Sequence, residues 1–205
     1  MKPEMITVKS GDITLKMPAS IVATTVISAA LAQIGACHPL PAPAANGLAI
    51  PALGTYWPGQ GGVNAGLMRG HDGAPDYYLI VAAGADAEFQ DVKWGPYSHE
   101  VSGASSAWDG LANTKAMLDD SEAHPAADRA TSYSCDGHSD YYLPARRELQ
   151  LAEANCPEVF SYGWHWSSSQ RSAYSALSMV FVDGFQYCHV KDDELRVRPV
   201  RRLFI

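Results

Sequence analysis

Alternation of apolar and polar positions is clearest at the two ends of the chain. Residues 5–17 read M-I-T-V-K-S-G-D-I-T-L-K-M. Ile6 and Val8, then Ile13 and Leu15, alternate with polar residues about Ser10-Gly11-Asp12, which predicts a hairpin. Pro18 stands where a helix can begin, and Ile21, Val22, Ile27, Leu31 and Ile34 follow at helical spacing, so a helix is expected over 17–36. In the middle of the chain, 77–82 (Y-Y-L-I-V-A) is a buried-strand pattern, 112–118 a short helix, and 145–154 a clearer helix entered through Pro144, with Glu148 and Glu153 on a mixed face. Near the C-terminus, the runs 178–182 and 185–190 flank Asp183-Gly184, the strongest short-range hairpin signal. Period two sends Met179 and Phe181 to one face and Ser178, Val180 and Val182 to the other. A last run, Leu195-Arg196-Val197-Arg198, alternates and stops at Pro199, which cannot donate to a central ladder.

This order of elements predicts an α+β chain in three parts. Residues 1–38 form a hairpin and helix, 39–53 a Pro/Ala-rich linker, and 54–205 the main domain. The ends of that domain, near 54–57 and 195–200, are expected to pair as neighbouring strands. Composition changes little: of 205 residues, 47% are hydrophobic and 18% charged. A formal net charge of −7 gives no reason to expect nucleic-acid binding. The one basic run, Arg196, Arg198, Arg201 and Arg202, is read as strand arginines paired with the local acids Asp192, Asp193 and Glu194 rather than as a phosphate site. Ile34-Gly35-Ala36-Cys37 is a passable lipoprotein cleavage box. The strand-patterned, partly acidic segment before it and the polar residues within 17–36 favour a soluble helix over a signal peptide or a membrane span.

Chemistry is sparsely signalled. Cys37, Cys135, Cys156 and Cys188 are far apart and form no C-x-x-C, which disfavours a zinc knuckle or a redox site and leaves one disulfide open. His38, His71, His99, His124, His138, His165 and His189 show no metal-binding spacing. Asp136, His138 and Asp140 are read as a polar turn, Ser167-Ser168-Ser169 lacks a nucleophile-elbow frame, and Asp119-Asp120 and Asp192-Asp193 lack a calcium-loop pattern. The glycine-rich run Y-W-P-G-Q-G-G-V-N-A-G-L after Gly54 is not a phosphate loop, because no Gly-Lys-Ser/Thr follows. No catalytic residue, cofactor or metal is therefore expected.

Three phrases resemble a known family. The C-terminal frame W-S-S-S-Q…F…D-G…K…L-R-V-R-P-V-R, the phrase D-Y-Y-L-P-A-R-R-E-L at 140–149 and the opening Y-W-P-G-Q-G-G with D-Y-Y-L-I-V are similar to C-type-lectin-fold proteins of the DUF1566 kind. More narrowly, they resemble variable proteins of diversity-generating retroelements, which include the phage major tropism determinant. The resemblance spans about 54–203 and implies a C-type lectin fold, with mixed or antiparallel sheets and two helices. It also implies that a reverse transcriptase recopies a template with mutated adenines into the end of the gene, here about 164–203. AAC-type template codons become any codon ending in C, which excludes Gln, Glu, Lys, Met and Trp.

The frame residues Trp166, Gln170, Met179, Gln186, Lys191 and Glu194 belong to the excluded class. Arg171, Tyr174, Ser175, Ser178, Val180, Val182, Phe185, Tyr187, Cys188, His189, Val190, Asp192 and Asp193 belong to the reachable class and form the implied variable ligand surface. Tyr174, Phe185 and Tyr187 would be its anchors. The implied protein binds a protein or surface receptor from a phage tail or a bacterial cell surface. Its oligomeric state is open. A non-diversified lectin-fold module of a tail or cell surface is the alternative, and a formylglycine-generating-type enzyme the third.

Overall fold

The structure, a computed structural model, describes residues 4–10, 13–18 and 49–205. Two compact units divide at Ala49 and Ile50. In the first, the alternating segment forms the antiparallel strands β1 (Met5–Ser10) and β2 (Ile13–Pro18), in register from Met5–Pro18 to Ser10–Ile13. Met17 and Pro18 thus close a strand instead of opening a helix. The rest of the helix expected over 17–36, Cys37, and the linker up to residue 48 lie outside the described residues.

The second unit is α+β, with two sheets and three helices among the described residues. One sheet has the order β11-β5-β4-β3, built from β3 (Tyr56–Trp57), β4 (Gly62–Met68), β5 (Tyr77–Ala82) and β11 (Val200–Leu203). β5 is the apolar run 77–82, and its side chains are buried on both faces except for the half-buried Tyr78. The ends of the domain are not neighbours: 56–57 forms one edge of this sheet, and of the segment 195–200 only Val200 joins it. β11 pairs with β5, and β3 lies on the opposite edge. The apolar run of β5 takes the centre, so the expected pairing of the two ends is corrected.

The other sheet has the order β6-β10-β7-β8-β9. It comprises β6 (Phe89–Lys93), β7 (Trp164–Gln170), β8 (Ser175–Val180), β9 (Gln186–Val190) and β10 (Glu194–Val197). β10 enters between β6 and β7, antiparallel to the first and parallel to the second. The β8–β9 hairpin is as expected, but its loop is wider than two residues: Val180 N–H bonds Phe185 O, and Gly184 N–H bonds Val180 O. Gly184 takes φ 71°, a left-handed turn conformation that glycine adopts at little cost.

Three helices cover these sheets. α1 (Gly110–Leu118) starts at Asp109, whose carboxylate accepts the Ala112 N–H. α2 (Pro125–Ser132) has Pro125 in its first turn and buries Ala126, Ala127 and Ala130. It is the helix absent from the two-helix expectation: three small residues bury too little area to stand out in a hydrophobic pattern. α3 (Arg146–Asn155) is the helix read over 145–154.

Period two decides which core each side chain joins. Trp166, Ala176 and Val197 face α1 and α2 with Trp94, Val92 and Met117. Met179 and Phe181 face α3 and the four-stranded sheet, with Leu79, Val81, Leu149 and Phe160. Phe181 stacks on Phe160 with ring centroids 3.5 Å apart. The inward placement of Met179 and Phe181 therefore agrees with the alternation.

Glu148 is not on a mixed face. It is fully buried, accepting hydrogen bonds from Tyr77 Oη (2.5 Å), Tyr142 Oη (2.7 Å) and Ala145 N (2.7 Å), and pairs with Arg202 at 3.1 Å. Burial pushes its carboxyl upward, against the pull of Arg202 and the two phenols. The phrase L-P-A-R-R-E-L thus places a carboxylate where it closes the helix start and joins α3 to β11.

Candidate functional site

The candidate surface is the part of the five-stranded sheet that α1 and α2 leave open. Along β7 and β9, Trp164, Tyr187 and His189 share the face of Trp166 by register, with Ser178 between them on β8. The Trp164 ring lies 4.8 Å from His189, 6.0 Å from Phe185 and 6.2 Å from Tyr187. Tyr187 and His189 meet at 5.1 Å. These are tilted or edge-to-face geometries, the favoured arrangement of aromatic pairs. Phe185 and Tyr187 nevertheless stay 57% and 55% exposed, so the cluster is ordered from beneath and open above.

At the adjoining end of the sheet, Tyr174 stacks at a tilt on Tyr97, 5.2 Å away. The turns 171–174 and 191–193 are joined by a 3.1 Å bond from Lys191 N–H to Tyr174 O. They carry Arg171 and Asp192, both exposed, and the half-buried Asp193. Tyr97 and Trp164 were not among the residues singled out from sequence. Trp164 alone carried a signal, being two residues before Trp166 and therefore on the same strand face.

Of the thirteen residues expected on the surface, Arg171, Tyr174, Val182, Phe185, Tyr187, Val190 and Asp192 are exposed, and Ser175, Val180, Cys188, His189 and Asp193 half-buried. Ser178 is the correction, at 2% exposure. Its hydroxyl is 2.7 Å from His189 Nδ1 and 3.2 Å from Tyr187 O, so it fixes the imidazole instead of meeting a partner. Burial lowers the His189 pKa and favours the neutral ring. β9 also divides the set. Cys188 and Val190 pair with Leu177 and Ser175 and point to the face opposite Tyr187 and His189.

The frame beneath is held by polar contacts that period alone does not show. Lys191 is fully buried; its ammonium donates to His99 O and Gln170 Oε1 and lies 4.5 Å from the Trp94 ring centroid. Burial lowers its pKa to about 8. The serine run serves the same end. Ser167 Oγ donates to Leu177 O, Ser169 Oγ to Ser106 O, and Ser168 Oγ accepts from Asn113 Nδ2. These bonds bridge the stretch where the β7–β8 register breaks, between Trp166 and Gln170.

The C-terminal arginines are paired, but not with Asp192, Asp193 or Glu194. Arg198 and Arg196 meet Glu88 at 3.1 and 3.5 Å, Arg201 meets Asp140 at 2.8 Å, and Arg202 meets Asp109 and Glu148 at 2.7 and 3.1 Å. Neighbours along a strand point to opposite faces or lie in turns, so partners come from other elements. The 136–140 turn is structural as read: Asp136, at φ 51°, accepts bonds from Tyr56 Oη and from the Gly59 and Gly61 N–H groups. Cys135, Cys156 and Cys188 are free thiols. Asp120, read as a solvated acid, is instead bonded to His99 and His124, the one group of possible metal ligands among the described residues. No described helix is long and apolar enough to cross a membrane.

No protein-family model matches the chain, and no curated protein matches it significantly in sequence.

Proposed function

We propose that the main unit is a C-type-lectin-type scaffold for ligand or receptor binding, its segment about 164–203 diversified by adenine-directed retroelement mutagenesis. One observation supports this reading: the residues assigned to the variable set lie mostly at the surface, while most of the frame residues are buried. Four of the six frame residues that the mutagenesis does not produce, Trp166, Gln170, Met179 and Lys191, are buried. Twelve of the thirteen residues assigned to the variable set keep exposed or half-exposed surface, Ser178 excepted. A constant framework thereby carries interchangeable side chains, as a variable binding surface requires.

Trp164 fits the same logic. Tryptophan lies in the class that mutagenesis does not produce, so Trp164 is a fixed floor on which residues 185, 187 and 189 are exchanged. Aromatic rings at those positions give large contact area at low entropy cost. Arg171, Asp192 and Asp193 supply charge at the rim, where it steers and selects more than it binds. The partner is a protein or surface receptor, met from a phage tail or a bacterial surface.

The deciding experiment is to sequence the DNA flanking the gene. A reverse-transcriptase gene and a near-copy of the segment encoding 164–203 should be found. Differences between the copies should fall at template adenines in the codons of the thirteen positions. A locus without such a repeat removes the diversification and leaves a fixed lectin-type module.

A further inference from the structure

Three potential metal ligands converge outside the aromatic face. His99 follows β6, and Asp120 and His124 lie four residues apart in the connection between α1 and α2. His99 Nε2 is 2.8 Å from Asp120 Oδ1, and His124 Nε2 is 3.4 Å from the same oxygen. All three donor atoms lie within 4.8 Å of one another. Metal–ligand bonds of about 2.0–2.1 Å in a tetrahedron put donor atoms roughly 3.3 Å apart. The two separations from Asp120 Oδ1 bracket that value, and rotation of the half-buried His99 ring would adjust the third side of the triangle.

Electrostatics point the same way. Among the described residues the Asp120 carboxylate has no lysine or arginine in ion-pair range; its two partners are imidazoles. The Glu122 N–H also donates to Oδ1, at 2.9 Å, which orients the carboxylate. The Lys191 ammonium donates to His99 O and Gln170 Oε1 instead. His124 is 2% exposed and packs edge-on against Trp94 at 5.5 Å, so its ring is fixed. Its Nδ1 meets no partner, leaving Nε2 as the only nitrogen with a polar contact.

We propose that His99, Asp120 and His124 bind a first-row transition divalent cation, with Zn²⁺ the best match to two imidazoles and one carboxylate. Water completes the coordination on the side where His99 is 32% exposed. The ion would tie the loop that carries Tyr97 to the α1–α2 connection.

The test uses the full chain freed of metal with a chelator. Titration with Zn²⁺ alone, followed by calorimetry, should show one site. Co²⁺ should give the visible absorption of a low-coordinate ion, displaced by Zn²⁺. His99→Ala and Asp120→Asn should each weaken Zn²⁺ binding by more than the roughly 10–100-fold seen when only a supporting partner of a ligand is lost. His71→Ala, at a separate surface His–Asp pair, should leave it unchanged. A measurement on the unaltered chain keeps the proposal falsifiable if a variant fails to fold: Co²⁺ should broaden the NMR ring signals of His99 and His124 first. Wild-type protein that binds no Zn²⁺, variants that bind as well as wild type, or broadening confined to His71 or His138 overturns the proposal.

Discussion

Lys191 donates a 2.6 Å hydrogen bond to Gln170 Oε1, so the turn after β9 is fastened to the end of β7 by a fully buried ammonium. The same Gln170 oxygen accepts the Val101 N–H at 2.9 Å. Lys191→Ala leaves His99 O without this donor and opens a cavity beside Trp94. The expected loss is roughly 2–4 kcal/mol, read as a lower midpoint in urea unfolding. A loss within half a kcal/mol would remove Lys191 from the frame.

The open and closed sides of the sheet should separate in a paired mutant set. Replacing Tyr174, Phe185 and Tyr187 together by Ala should leave the melting temperature nearly unchanged, because all three are more than half exposed. Trp166→Ala and Phe181→Ala should each cost about 3–5 kcal/mol. Where a partner is in hand, the triple variant should lose roughly 2 kcal/mol or more of affinity while staying folded. Unfolding of the triple variant alone would show the faces to be reversed.

Position 178 should behave unlike its neighbours in a library randomised over the thirteen positions. The Ser178 site is closed, with Trp166 opposite it on β7 and His189 bonded to its hydroxyl. Large residues there should cost about 1–3 kcal/mol through overpacking. Soluble clones selected without a ligand should be enriched in Ser, Ala, Gly and Thr at 178 and unrestricted at 182 and 187. An even distribution at 178 would contradict this.

Acid should attack Glu88 late. Burial alone would raise its carboxyl pKa, but bonds from His165 and the Ser161 N–H, with Arg198 beside it, bring it far below the usual carboxylate value of 4.5. A carboxylate depressed in the folded state stabilises fully above its unfolded pKa, and this contribution is lost as pH falls through and below that value. Glu88→Gln should therefore destabilise the protein at pH 7, and the difference from wild type should shrink below about pH 4. Chemical unfolding across pH 2–7 measures it. A difference that is constant with pH would exclude the linkage.

What could be read from sequence follows the range of the interaction. The β8–β9 hairpin, the inward Met179 and Phe181, the strand 77–82 and the helix over 145–154 were legible because each depends on neighbours a few residues away. The position of β10 between β6 and β7 was not, because sheet order is set by contacts across a hundred residues. The partners of the four arginines, the burial of Glu148 and the meeting of His99 with Asp120 were hidden for the same reason. In the candidate surface, Tyr174, Phe185 and Tyr187, chosen by residue type and place, are exposed. The internal role of Ser178 was missed because alternation assigns a face and does not say how far the helices cover it.

The last ten residues of the fold, β10 and β11, complete both sheets. β10 fills the gap between two strands made earlier, and β11 covers the side of β5 away from β4. During synthesis, the unit must therefore wait for its C-terminus before either sheet can close, and its longest-range contacts form last. Segment 171–193 leaves the ribosome before these closing strands. Any altered version of it is thus screened by whether β10 still reaches its slot. Chains that fail would keep unpaired strand edges, a template for aggregation, so folding itself would act as the first filter on sequence change in that segment.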